Sequence, residues 1–281
     1  MLPKPGDATQ PSNWRPIAIL KITYKLFSRL LYQRLRDRLE THQTYDQVGF
    51  RPDCSVDDAF IVFDAVCGRA LEWNLDLWFA SLDLRKAFDR IRYDALFDAL
   101  RGQGVDDHHL ALVAALYSHQ TGSILGSNDV FDIERGVKQG DIASPLFFNA
   151  GLELALGRWK ARLSDHGVAL DTGERLTNIR YADDLMLYAT SLDQLCQMMT
   201  LLSEELSRVG LDLNMTKTKI LTTCKLEEVL YVDLAGGMVE VLFEEASHKY
   251  LGRKLGGNLK KRSATEFANR RCCAWAKFNL P

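Results

Sequence analysis

The stretch NIRYADDLMLYAT, residues 178–190, places two adjacent acids in the middle of an apolar segment. Adjacent like charges repel, and acids are poor strand residues. The stretch therefore predicts two strands joined at a bend by Asp183 and Asp184. The pair has two interpretations. It is an ordinary turn, because Asp tolerates turn geometry, or it is a site where cations compensate the charge.

A third acid, Asp83, ends the apolar segment LDLWFASLDL at 75–84, which is typical of a buried strand. If these strands are neighbours in one sheet, Asp83 can converge on the acid pair. Three carboxylates in one place stay ionised only when cations compensate them. Mg²⁺ prefers hard oxygen ligands, and two such ions stabilise both the attacking and leaving oxygens of a phosphoryl displacement. Alone, an acid such as Asp83 is more often a strand-end or helix-capping residue.

The rest of the chain supplies helices around this segment. Between residues 75 and 223 the predicted order is strand, helix, hairpin, helix, hairpin, helix, strand. This order indicates an α+β fold with helices on one face of a small, largely antiparallel sheet. Helices are predicted from apolar spacing at Phe27, Leu31, Leu35 and Leu39, after a capping box at Ser55 and Asp58, from about Asp106 to Ser118, from Ser144, and from Ser191 to just before Gly210.

Composition excludes several classes of protein. The chain has 281 residues, 47% of them hydrophobic and 26% charged, which is enough for a sizeable core. Its six cysteines form no C-x-x-C, so reduced thiols in an intracellular protein are expected. There is no signal-peptide core and no apolar run long enough for a bilayer.

From Lys249 onward there are nine basic residues and one acid, 9 − 1 = +8. This segment either follows phosphates or is a solvated tail.

The motif YADD at 181–184 resembles the catalytic hairpin of reverse transcriptases, and six further blocks resemble that family in the same order. The match covers about residues 3–256 and is to enzymes of non-long-terminal-repeat retrotransposons, with group II intron enzymes as relatives. The blocks are NWRPIAILKITYKLFSRLLYQRL at 13–35, QVGFRPDCSVDDAF at 47–60, FASLDLRKAFDRI at 79–91, GVKQGDIASPLFFN at 136–149, GLDLNMTKTKIL at 210–221 and HKYLG at 248–252.

The resemblance implies a right-hand polymerase palm, a small antiparallel sheet with packed helices, together with a partial fingers subdomain. The implied division is 1–74 for truncated fingers, 75–223 for the palm, 224–256 for a primer-grip-like hairpin and 257–281 for the basic start of a largely missing thumb. Further polyprotein domains, a thumb and an endonuclease among them, are expected to be encoded elsewhere.

The implied activity is that of an RNA-directed DNA polymerase, in which a primer 3′-hydroxyl attacks the α-phosphate of an incoming nucleotide. By resemblance, Asp83 and Asp183 ligate two Mg²⁺ ions, with Mn²⁺ as an alternative, and Asp184 is a looser ligand. The carbonyl of Leu84 completes one metal site. The expected partners are an RNA template, a DNA primer and dNTPs, with no membrane. The expected location is the cytoplasm and nucleus.

Further residues match the family's nucleotide-binding positions. Each also has a plainer explanation as a core aromatic, a turn or a solvated surface charge. The implied roles are a steric gate against the 2′-hydroxyl for Phe88, a nucleotide pocket for Gln139 and Gly140, triphosphate contacts for Arg15 and Lys4, and proximity to the leaving pyrophosphate for Lys217.

Two alternatives remain beside the reverse transcriptase. A catalytically inactive or truncated RNA-binding remnant would bind RNA in a salt-dependent way without extending a primer. An RNA-templated RNA polymerase would share the palm, but Phe88 would then matter little for the choice of nucleotide.

Overall fold

The structure, a computed structural model, describes residues 7, 9, 19–123, 130–234, 237–243 and 246–278, and the backbone of 2–3 and 14–15. Its helices are α1 (Ile22–Glu40), α2 (Val56–Glu72), α3 (Ala87–Arg90), α4 (Tyr93–Gly102), α5 (Asp107–Tyr117), α6 (Ser144–Arg162), α7 (Leu192–Arg208) and α8 (Arg262–Phe278), with a 3-10 turn at Leu259–Lys261. Within these residues, no helix has the length and apolar character needed to cross a membrane.

The strands are short, and most of them form hairpins. They are β1 (Leu2–Pro3), β2 (Trp14–Arg15), β3 (Trp78–Leu82), β4 (Thr121–Ser123), β5 (Val130–Asp132), β6 (Val168–Ala169), β7 (Arg175–Leu176), β8 (Asn178–Tyr181), β9 (Asp184–Ala189), β10 (Lys219–Thr222), β11 (Leu230–Leu234), β12 (Gly237–Val241), β13 (Ser247–Tyr250) and β14 (Arg253–Gly256).

Six strands form the main sheet in the order β11-β12-β10-β3-β9-β8. All of its pairings are antiparallel except that of β10 with β12. The sequence prediction of a small, largely antiparallel sheet is therefore confirmed.

The chain divides into two compact units. The first comprises Met1–Thr44, Arg85–Arg158 and Glu205–Asp212, and the second comprises Tyr45–Leu84, Trp159–Glu204 and Leu213–Pro281. In the first unit, the buried face of α1 presents Leu31, Leu35 and Leu39 at helical spacing. Its Ser28 hydroxyl donates to the buried carboxylate of Asp141 at 2.5 Å, which joins α1 to the segment before α6.

In the second unit, α2 packs on the main sheet through aromatic side chains. The ring of Phe63 lies 5.3 Å from that of Phe79 on β3, which lies 5.5 Å from Tyr188 on β9, both edge-on. Phe60 on the same helix meets Tyr250 of β13 at 6.0 Å. These contacts form one hydrophobic core beneath the strands that carry the acids.

Local signals placed most elements correctly. The capping box before α2 is present, since Ser55 N donates to Asp58 Oδ2 at 2.6 Å and Asp57 N donates to Ser55 Oγ at 3.2 Å. Asp106 caps α5 through its carboxylate. Before α7, Gln194 N donates to Ser191 Oγ as expected.

Some elements differ from the prediction. The strand expected at 75–84 is limited to Trp78–Leu82, because the preceding residues instead bond to the loop at Thr223. The helix α4 and the strand β11 were not predicted. The segment KYLGRKLGG at 249–257 contains the turn of the β13–β14 hairpin, where Leu251 and Gly252 both have positive φ.

Candidate active site

The acid pair lies at the turn between β8 and β9. Tyr181 pairs with Asp184, so Ala182 and Asp183 form a two-residue turn. Ala182 has φ 54°, in the left-handed region that a residue with a side chain rarely adopts. Asp183 and Asp184 are both half-buried. The hairpin predicted around the acids is therefore confirmed, and its turn holds the first acid while the second starts β9.

Asp83 directly follows β3, and β3 is the strand that pairs with β9 in the sheet. The ladder between β3 and β9 ends at the pair Leu82–Leu185, and Asp83 and Asp184 are the next residues on the two strands' chains at that end. The three acids therefore come from neighbouring strands at one end of the sheet, as the sequence predicted.

Two residues of the segment after Gly210 hold Asp83. Asn214 Nδ2 donates to Asp83 Oδ2 at 2.9 Å, and Asn214 N donates to the Asp83 carbonyl at 2.8 Å. Lys217 Nζ lies 3.5 Å from the same carboxylate oxygen, and its side chain is 62% exposed. The predicted Lys217 is thus brought to the acids.

The electrostatics of the site favour an added cation. Burial, followed by repulsion from Asp183 and Asp83, raises the pKa of Asp184 to about 7. Burial is also the main cause that raises the pKa of Asp183, with Asp83 adding to it and Lys217 opposing it. Both acids hold their protons more tightly than a solvated turn aspartate would. A divalent ion would remove the repulsion that causes part of this shift.

The carboxylate oxygens of these acids are donors that suit a hard cation, but the acids alone do not form a complete metal site. Among the described residues, no group of three or more His, Cys, Asp or Glu side chains is gathered closely enough to hold a metal ion. Leu84, whose carbonyl was predicted to complete one site, is buried and pairs with Leu213 in an isolated antiparallel bridge. Ions of the Mg²⁺ type keep several waters and bridge to substrate phosphates, so two or three carboxylates suffice.

The other predicted nucleotide-binding residues form a local group in the first unit. The ring of Phe88 stacks on Phe148 with centroids 4.4 Å apart, and its carbonyl accepts from Val137 N. Gln139 Nε2 donates to Asp89 Oδ1 at 2.9 Å. Gly140 is exposed and has φ 101°, a conformation that glycine tolerates best. The segments 87–90 and 136–140 are therefore brought together.

Two predictions fall outside the described part of the chain. Lys4 is not described. Arg15 lies on β2, but its side chain is not described. Their roles stay predictions.

Sequence reasoning missed three residues around the acids. Asn214 lies in the quoted block at 210–221, and its bond to Asp83 crosses 131 positions. Gln47 opens the block at 47–60, and its side chain accepts from Ala182 N. His248 lies in HKYLG and shares a hydrogen bond of 3.0 Å with Ser81 on β3. All three residues lie within motifs that resemble the family, and this was the only sequence feature that could have drawn attention to them. No local pattern indicates the contacts themselves.

Comparison with known proteins shows which family and which relatives the chain is similar to. The family model described as "Reverse transcriptase (RNA-dependent DNA polymerase)" matches residues 2–255. The "Retrovirus-related Pol polyprotein from type-1 retrotransposable element R2" of Popillia japonica is 34% identical over 193 residues, which are 66% of this chain and 26% of that protein. The "Retrovirus-related Pol polyprotein from type-2 retrotransposable element R2DM" of Drosophila melanogaster is 30% identical over 220 residues, 77% of this chain and 20% of that protein.

Two of the solved structures that resemble the fold are telomerases. Apo telomerase from Candida tropicalis, truncated from its C-terminal domain, superposes with a TM-score of 0.59 at 15% identity, covering 82% of this chain and 44% of that one. Telomerase from the same organism in complex with a TWJ fragment of telomeric RNA gives 0.58 at 16% identity, covering 82% and 36%. At this identity the likeness shows the fold, which is that of a right-hand polymerase. The matched part of the chain spans about a quarter or less of the two Pol relatives.

Proposed function

The chain belongs to the reverse transcriptase (RNA-dependent DNA polymerase) family, and from this premise we propose that it is the polymerase segment of a non-long-terminal-repeat retrotransposon protein. It extends a DNA primer with dNTPs on an RNA template. The observation that carries the proposal is that Asp83 directly follows the last β3–β9 pair, Leu82–Leu185, at the end of the sheet where Asp183 lies in the turn before β9.

The three acids are assigned to two divalent ions, with Asp83 and Asp183 as the principal ligands, Asp184 as a looser one and the Leu84 carbonyl as a further donor. The chemistry of the donors supports this, because they are hard oxygens whose mutual repulsion and burial call for positive charge. When bound, such ions supply charge neutralisation at the reacting phosphate.

The protein's own side chains orient the metal-binding acids and assist the leaving group. Asn214 orients the Asp83 carboxylate by donating to one of its oxygens, which leaves the other available. Lys217, whose Nζ lies 3.5 Å from Asp83 Oδ2, is assigned the role of offsetting negative charge on a departing pyrophosphate and donating a proton to it. Positioning and charge neutralisation account for most of the catalysis of phosphoryl transfer, and both depend on these side chains holding their geometry.

The nucleotide contacts are proposed by resemblance. Phe88 packs under the sugar and excludes a 2′-hydroxyl, Gln139 and Gly140 line the pocket, and Arg15 and Lys4 contact the triphosphate. The stacking of Phe88 on Phe148 supports the gate, because a ring held on one face resists displacement. The RNA template, the DNA primer, further domains of the polyprotein, and a location in the cytoplasm and nucleus belong to the same proposal.

A primer-extension assay tests the function. The chain is given an RNA template, an annealed DNA primer, dNTPs and Mg²⁺, and DNA product is expected. Asp183→Asn should reduce the product by at least a thousandfold, as expected when a metal-ligating charge is lost. The matched control is Asp165→Asn, which alters an aspartate whose side chain is 95% exposed and should extend normally.

Two outcomes would count against the proposal. Extension that survives Asp183→Asn would refute the metal assignment. Salt-dependent RNA binding without extension in Mg²⁺ or Mn²⁺, and unaffected by Asp83→Ala, would favour the RNA-binding remnant.

A further inference from the structure

The segment just before α2 forms an extra partner for the catalytic hairpin. Arg180 N on β8 donates to the Asp46 carbonyl at 2.7 Å, and Val48 N donates back to the Arg180 carbonyl at 2.9 Å. Gln47 and Arg180 form a parallel bridge. β8 is the edge strand of the main sheet, and residues 46–48 therefore cover an edge that would otherwise be open.

The side chain of Gln47 reaches from this segment into the turn of the hairpin. It is fully buried. Its Oε1 accepts from Ala182 N at 3.0 Å and from Gly49 N at 2.7 Å. One acceptor oxygen thus holds the first turn residue and its own segment together. A buried amide N–H without an acceptor is costly, so this bond favours the observed turn.

The backbone of Gly49 lies directly against the same turn. A Cβ at Gly49 would lie 2.3 Å from Ala182 N and 2.7 Å from the carbonyl carbon of Tyr181. Only glycine permits an approach this close. The ring of Phe50 lies 5.6 Å from that of Tyr181 and extends the contact along the hairpin.

The turn needs such support because two features work against it. Ala182 adopts φ 54°, which is unfavourable for a residue with a side chain. The acids that follow it are adjacent, half-buried and repel each other and Asp83. Without an external restraint, the hairpin could relax by turning one carboxylate towards water.

We propose that Gln47 is a positioning residue that holds the turn at Ala182, so that Asp183 and Asp184 face Asp83 before any ion binds. This inference rests on the proposed function, because it assigns metal binding to the same acids. Gln47 itself touches neither substrate nor metal. Its effect is pre-organisation of the carboxylates, in the way that supporting partners orient metal ligands elsewhere.

The test compares Gln47→Met with Gln103→Met. Both remove a buried glutamine amide and keep a similar side-chain volume. Gln103 is a matched control because it is also buried and bonds to the backbone, through Nε2 to the Ala150 carbonyl at 2.9 Å, in the other unit. Three quantities are measured: hydrogen exchange of the Ala182 amide, the dissociation constant of Mn²⁺ by electron paramagnetic resonance, and kcat with KM for primer-template.

In the wild type, the Ala182 amide should be protected from exchange. Gln47→Met should remove this protection, raise the Mn²⁺ dissociation constant by about 10- to 100-fold, and lower kcat by a similar factor with little change in KM. Gln103→Met should leave all three within about threefold of the wild type, while its midpoint of unfolding falls, as for any lost buried hydrogen bond.

The inference is overturned if the wild-type Ala182 amide exchanges as fast as an exposed one, a measurement that needs no variant. It is also overturned if the two variants change Mn²⁺ affinity equally. Failure of the proposed function looks different, because the wild type itself would then extend no primer. The exchange and Mn²⁺ measurements do not depend on that activity.

Discussion

At the scale of single residues, burial favours the cation site over the ordinary turn as the interpretation of the acid pair. A turn aspartate on the surface is solvated, and its charge costs little. Asp183 and Asp184 are instead half-buried beside Asp83, and the pKa of each is raised. The motif therefore occupies a turn and also concentrates negative charge there. An ordinary turn would not need the second property.

The raised pKa of Asp184 predicts how stability depends on pH. In the unfolded chain this carboxyl loses its proton near pH 4, whereas in the folded protein it keeps the proton until about pH 7. Between these values folding binds a proton, so the metal-free protein should lose stability as pH rises from about 4 to about 7. Urea unfolding in EDTA at pH 5 and pH 8 measures this difference.

Asp184→Asn should reduce the loss of stability between the two pH values, because the amide does not titrate. Asp165→Asn, on an exposed side chain, should keep the full difference. Equal behaviour of the two variants would contradict the assignment of the pH dependence to Asp184.

The proposed gate at Phe88 makes a prediction about the choice of nucleotide. Phe88→Val should admit ribonucleotides, with the preference for dNTPs falling by about 10- to 100-fold, because space opens beside the 2′-carbon. Single-nucleotide incorporation with dCTP and CTP measures the ratio. Phe147→Val removes a buried aromatic from α6 in the same unit and should destabilise the protein without changing the ratio. An unchanged ratio in Phe88→Val would favour the RNA polymerase alternative.

At the scale of elements, one carboxylate joins three parts of the second unit. Asp64 on α2 accepts from Arg253 on β14 through both carboxylate oxygens, at 2.6 and 3.2 Å. It also accepts from Arg262 Nε at the start of α8, at 3.0 Å. The guanidinium of Arg253 lies 5.0 Å from the ring centre of Phe60. The β13–β14 hairpin is thus anchored on α2 by charge as well as by the apolar core.

We predict that Asp64→Ala lowers the free energy of unfolding by about 1–3 kcal/mol, because it leaves two arginines without their shared acceptor, one of them 11% exposed. Urea denaturation measures this change. Asp171→Ala is the matched control, since it removes an exposed partner of Arg69 on the same helix and should cost less than about 0.5 kcal/mol. If the two variants lower the free energy of unfolding equally, the ion pairs of Asp64 do not stabilise the unit more than an exposed pair does.

At the scale of the whole molecule, net charge conceals a local imbalance. The chain carries −2 overall, yet the segment from Lys249 onward is strongly basic. Three of its arginines are engaged in ion pairs with acids of the second unit, namely Arg253 and Arg262 with Asp64 and Arg270 with Glu266. The basic residues exposed on the rest of the segment are Lys249, Lys254, Lys260, Lys261, Arg271 and Lys277. Fewer charges are therefore offered to a phosphate backbone than the sequence count suggests.

The proposed nucleic-acid partner makes the exposed lysines testable. Replacing Lys260 and Lys261 together by Gln should weaken RNA binding for all sequences alike. It should also reduce the slope of log Kd against log salt concentration by roughly 1 for each lysine that contacts a phosphate. Fluorescence anisotropy at several salt concentrations measures the slope. Replacing the exposed Arg69 and Lys225 by Gln removes the same charge elsewhere in the unit and should leave the slope unchanged. Equal effects of the two pairs would contradict a specific role for the basic segment.

Much of the fold followed from local patterns. The caps of α2, α5 and α7, the apolar face of α1 and the hairpin that carries the acids were all predicted, because caps, periodicity and turn chemistry act over a few residues. The helix α4 has only ten residues, and its N-cap residue Arg92 makes no side-chain cap hydrogen bond, so no local signal marks its start. The strand β11 gives a weak signal although its residues alternate in burial, because it has only five residues and lies between turn-rich segments.

By itself, the sequence determined the family and the α+β class and predicted the three acids, since ordered motifs and local preferences are both properties of the chain. Only the tertiary structure decided which strand lies beside Asp83, that Asn214 holds its carboxylate, and that Gln47 supports the turn at Ala182. The last two contacts join residues 131 and 135 positions apart. No local preference encodes such pairs, because they form only when the sheet brings distant segments together.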